Sequence, residues 1–192
     1  EQSAGKTEKG FKVGRARIHP ALALQNIYDS NVQNNSDSYG SGGHSPYYDD
    51  ILRIVGGLKF DYPHPTVAVT VLGEAGYARY FGIDNSSTKD LSAITGRARL
   101  SVTLFPEGFF SFGIHDTYTR DSSPRQVLVS KTYDRDHNRA MARLAFRPGG
   151  RQLRIFIEYT NVLEHYADTD FSYLNWLEHN IGFRWEPESM PD

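Results

Sequence analysis

Residues 139–159 read RAMARLAFRPGGRQLRIFIEY. Ala140, Ala142, Leu144 and Phe146 alternate with the charged Arg139, Arg143 and Arg147. After Pro148-Gly149-Gly150 the alternation resumes, with Leu153, Ile155, Ile157 and Tyr159 against Gln152, Arg154 and Glu158. A period of two sends successive side chains to opposite faces of a strand. Pro-Gly-Gly supplies the backbone freedom of a tight reversal. The stretch predicts a β-hairpin with one apolar and one charged face.

The same alternation recurs along the chain. It predicts eight strands, over residues 12–28, 51–62, 67–81, 93–105, 109–120, the two arms of the opening hairpin, and 176–185. Pro20 falls on the apolar parity of the first strand, where it implies a bulge or weak pairing. Residues 1–10 read as a flexible tail, 11–185 as the folded body and 186–192 as a C-terminal tail. Connections alternate between short, Pro-containing turns (63–66, 106–108, 148–150) and long polar loops (29–49, 82–92, 121–136, 164–174). No helix of useful length is expected.

Composition narrows the class. The chain has 192 residues, a net charge of −2 and no cysteine. Disulfides and thiolate metal sites are excluded, and bulk charge does not suggest a nucleic-acid partner. No run of about 18 apolar residues exists, so no membrane-spanning helix is expected, a test that β-barrels escape. The chain starts with Glu and shows no signal peptide, which reads as mature numbering or a trimmed chain.

Short turns on one side and long loops on the other point to an all-β, transmembrane, antiparallel up-and-down barrel in the bacterial outer membrane, with the short turns periplasmic. Its eight strands either close on themselves or form part of a wider barrel. On the apolar parity, Tyr28, Tyr77, Tyr118 and Tyr159 lie at the long-loop ends. Phe60, Tyr62, Phe110, Phe146 and Trp185 lie at the short-turn ends. Such rings collect at membrane interfaces. The competing arrangement is a soluble sandwich whose apolar face packs on a second sheet.

The other parity carries Arg53, Lys59, Glu74, Arg97, Arg99, Arg139, Arg143, Arg154 and Glu158, expected to face the lumen. A closed eight-stranded barrel fills its lumen with side chains, where charges must pair. The surplus of arginine at Arg97, Arg99 and Arg143 favours a wider, hydrated lumen that attracts anions, although pairing with inward-folded loop acids would also serve. Arg147 and Arg184 are placed toward the periplasmic rim. No enzyme is expected: His115 and Asp116 are adjacent on a strand and point apart, and neither a nucleophile elbow nor a His-Glu-x-x-His run exists. Asp29-Ser30-Asn31, Asp134-Arg135-Asp136 and Asp168-Thr169-Asp170 lack the spacing of a calcium loop. No metal or cofactor is expected.

Several short motifs carry a resemblance: Ile18-His19-Pro20, Tyr28-Asp29-Ser30-Asn31-Val32, Asp49-Asp50-Ile51, Asp136-His137-Asn138-Arg139, Arg147-Pro148-Gly149-Gly150 and Glu158-Tyr159. Together they resemble the N-terminal half of outer-membrane barrel proteins encoded with exopolysaccharide and capsule export clusters. The ending Ile181-Gly182-Phe183-Arg184-Trp185 resembles a terminal strand read by barrel-assembly machinery. The resemblance implies a channel component for export of polysaccharide or another anionic solute. It also implies partners among outer-membrane lipid, lipopolysaccharide, polysaccharide and periplasmic export proteins. The alternative is a non-conducting structural or adhesion barrel that docks an envelope machine through its long loops.

Overall fold

The computed structural model describes residues 10–30, 48–83, 89, 92–124, 132–148, 153–167 and 169–187. It is all-β. The strands are β1 (Phe11–Val13), β2 (Ala16–Asp29), β3 (Asp49–Tyr62), β4 (Val67–Tyr80), β5 (Ala93–Leu104), β6 (Phe110–Pro124), β7 (Thr132–Phe146), β8 (Leu153–Tyr166) and β9 (Trp176–Pro187). They form one antiparallel sheet in sequence order, and β9 does not pair with β1 or β2, so the sheet is open.

Four expectations are corrected. Among the described residues there are nine strands, not eight, because the expected first strand is broken at Gly14. Gly14 has φ 64°, which L side chains rarely adopt, and it turns Phe11–Val13 back onto the start of β2. The expected loop at 121–136 is shorter, since β6 and β7 continue to Pro124 and from Thr132. The expected loop at 164–174 holds the end of β8 and a 3-10 helix at Thr169–Leu174. The C-terminal tail starts later, because β9 runs to Pro187. The tips of the four long connections and residues 149–152 of the Pro-Gly-Gly turn lie outside the described residues.

Pro20 sits in unbulged register opposite Leu58. The opposite flank of β2 is covered by β1 only as far as Ile18. A proline on the uncovered stretch removes no ladder bond on that flank.

The two faces are unlike those of a soluble sheet. Ile51, Ser111, Ala145, Phe156, Thr160, Val162, Glu164 and Tyr166 are buried, and the register puts all of them on the arginine-bearing face. The opposite face exposes Leu22 (80%), Leu24, Ile54, Leu58, Ile157, Ile181 (84%), Phe183 and Trp185. No second sheet covers that face among the described residues.

The exposed apolar band can be followed across the strands. Tyr62, Val69, Val102, Ile114, Ala142, Tyr159 and Ile181 form one cross-strand row. On β2 to β5 the apolar side chains extend from that row toward the long loops, through Ile18, Leu22 and Leu24, Leu58 and Ile54, Val71 and Tyr77, Leu100 and Ile94. On β6 to β9 they extend toward the short turns, through Phe112 and Phe110, Leu144 and Phe146, Ile157 and Ile155, Phe183 and Trp185. There the loop-side positions are mixed: Asp116, Arg120, Asp136, Asn138, Asn161 and His179 are polar, while Tyr118, Leu163 and Leu177 continue the apolar face.

Candidate functional site

Cross-strand pairing places Arg53, Lys59, Glu74, Arg97, Arg99, Arg139, Arg143, Arg154 and Glu158 on one face. It places Tyr28, Phe60, Tyr62, Tyr77, Phe110, Tyr118, Phe146, Tyr159 and Trp185 on the other. The charged face then divides into three zones with different chemistry.

At the short-turn end of β7 to β9 the charges are paired. Glu158 takes Arg143 on one side and Arg184, at 3.4 Å, on the other. Arg184 also reaches Glu186 at 3.1 Å. The ring of Phe156 lies between the two guanidiniums, at 5.3 Å from Arg143 and 5.0 Å from Arg184. Cations favour that placement because the ring face is electron-rich. Arg143 is therefore a paired residue and not a surplus charge. Arg147 is only 9% exposed, so it does not escape to the rim. It donates to the carbonyls of Pro106 and Gly108, both at 2.7 Å, and ties the β5–β6 turn to the end of β7. That turn holds Phe105 at φ 49°, a strained backbone position that these bonds help fix.

At the long-loop end a second cluster is equally well paired. Arg135 bridges Asp121 and Glu164. Trp176 Nε1 and the Tyr166 hydroxyl donate to the same Glu164 at 2.6 and 2.9 Å. Asp49, fully buried, accepts from the backbone N–H of Gly82 and Ile83 and anchors the chain leaving β4. On the outward face, Asp134 and Asp136 both engage Arg120, which leaves neither as a free calcium ligand. No group of three metal-ligating side chains occurs among the described residues, and Asn31 and Asp168 lie outside them.

Between these clusters lies a zone of unpaired cations. Arg53, Arg97, Arg99 and Arg139 are exposed and make no ion pair or side-chain hydrogen bond among the described residues. Glu74 stands opposite Arg97 in register, yet the two form no ion pair. Lys59 differs, since Asp61 holds it at 3.0 Å. Arg53, Glu74, Thr95, Arg97 and Thr119 line a cleft of about 320 Å3, near the lower end of small-ligand sites.

One contact was invisible in the sequence. Ser101 Oγ lies 2.9 Å from His115 Nδ1, across β5 and β6. Only the register reveals it, because fourteen residues separate the two. Acyl transfer also needs an orienting acid and oxyanion donors. Among the described residues no carboxylate hydrogen-bonds His115, and the adjacent strand N–H groups serve the ladder. Asp116 faces the other way and accepts from Asn138 Nδ2 at 2.8 Å.

No protein family, curated protein or solved structure matches this chain.

Proposed function

We propose that the sheet is part of the wall of an outer-membrane β-barrel, and that the chain is a channel component for polysaccharide or another anionic solute. The observation that carries this reading is the inversion of the faces. The protected face is arginine-bearing, and the exposed face is a continuous apolar band. Soluble monomers rarely leave an apolar surface of that extent uncovered. Lipid covers it at no cost. Aromatic rings on the apolar parity at both strand ends suit the two interfaces.

Hydrated arginines in a lumen raise the local concentration of anions. The motif resemblance to barrels of polysaccharide export clusters points the same way. The expected result in planar bilayers is single-channel conductance with anion over cation selectivity. A folded protein that stays silent over repeated insertions overturns the channel reading.

A further inference from the structure

The three zones of the charged face differ in one respect that matters for recognition. Among the described residues, four arginines in the middle zone make no ion pair or side-chain hydrogen bond, while Arg135, Arg143 and Arg184 toward the two ends are paired. We infer that Arg53, Arg97, Arg99 and Arg139 form a recognition patch for a linear acidic saccharide, with carboxylates on the arginines and sugar hydroxyls on the threonines between them. This rests on the channel reading and names the ligand class of that same face.

The geometry supports a chain ligand. Arg97 and Arg99 are two apart on β5, so about 7 Å separates their positions along the strand. Arg99, Thr117 and Arg139 lie in one cross-strand row, which spaces the two arginines by about 10 Å with a hydroxyl between them. Arg97 and Thr119 form the next row. The cleft lined by Arg53, Glu74, Thr95 and Arg97 adds room for one sugar ring at one end of the patch. Planar guanidiniums bind carboxylates in a two-pronged fashion. Separated arginines interleaved with hydroxyls fit repeating carboxylates on a polyol better than they fit one compact anion. Glu74 stands beside Arg97 without neutralising it and can accept from a sugar hydroxyl.

The test is equilibrium binding to the folded full chain in detergent, read by calorimetry with trigalacturonic acid and maltotriose as probes. The acidic trimer is expected to bind at least tenfold more tightly than the neutral one. The variant R97Q/R99Q/R139Q is expected to lose that preference. Arg79→Gln removes a positive charge from the opposite face and is expected to leave binding unchanged. Retained β circular dichroism and heat-modifiable gel mobility establish that each variant folds. The inference is overturned if the triple variant binds normally, if Arg79→Gln weakens binding equally, or if inorganic phosphate displaces the trimer at equal concentration and ionic strength. Conductance is not the readout. A silent protein that binds the trimer refutes only the channel, and a conducting one with unaltered binding in the triple variant refutes only the patch.

Discussion

Glu158 holds Arg143 and Arg184 together around the ring of Phe156, and no other carboxylate among the described residues reaches Arg143. Replacing it by glutamine keeps the shape and leaves two facing guanidiniums. Because the carboxylate is partly shielded and Arg184 is half exposed, the loss is smaller than for a fully buried pair. Glu158→Gln is expected to lower stability by about 1–2 kcal/mol, read as a shifted urea midpoint in detergent. An unchanged midpoint would mean that Arg143 is hydrated like Arg97 and Arg99. This distinction was beyond the sequence. Alternation assigned all these arginines to one face, but pairing depends on which acid lies opposite, and that is set by register. Arg143 and Glu158 are fifteen residues apart and directly opposed, whereas the equally opposed Arg97 and Glu74 do not meet.

At the level of elements, β3, β4 and β5 were legible almost to their ends because each keeps one apolar face throughout. The loop-side halves of β6 and β7 were not. Asp121, Asp134, Arg135 and Asp136 are polar on both parities, so no period of two survives there. What extends those strands is the pairing of Arg120 with Asp134 and of Arg135 with Asp121. The turn at Gly14 shifts the outward parity from Phe11 and Val13 to Ala16 and Ile18, and three residues were too few to show that shift against the long alternating run that follows. The apolar face offers a sharper test than any boundary. Ile157 is half exposed and sits within the band. Ile157→Arg at an exposed site of a soluble protein would change stability by no more than about 0.5 kcal/mol. In a bilayer it is expected to cost about 2–4 kcal/mol. Folding measured in lipid vesicles decides between them, and a neutral result there removes the lipid from that face.

For the whole molecule, the unpaired edges are decisive. Among the described residues, the outer edge of β9 and the flank of β2 beyond Ile18 are not paired with another strand. In hydrocarbon each such group costs several kcal/mol, so a membrane-embedded sheet must have both edges paired. Four arginines without an ion pair among the described residues argue against a lumen filled by this chain alone, and we expect further strands between β9 and β2. The chain has no native cysteine, so Ala23→Cys and Asn180→Cys can carry spin labels without background. The distance between them in the bilayer-embedded protein is expected to be several times the strand spacing of about 4.8 Å. A distance of one spacing would mean that the long strands close on themselves.

In the proposed barrel, the three-residue β1 would give closure a fixed geometry. It occupies the backbone of Ala16–Ile18 on the free side of β2 and leaves His19 onward vacant. An arriving strand therefore cannot slide toward the turn end. In the proposed barrel it would meet an end-stop made by the chain itself, and the stagger between the first and last staves would be set before any partner arrives. Since stagger and strand number together fix the bore of a barrel, a hairpin turning on Gly14 would help determine how wide an opening the arginines surround.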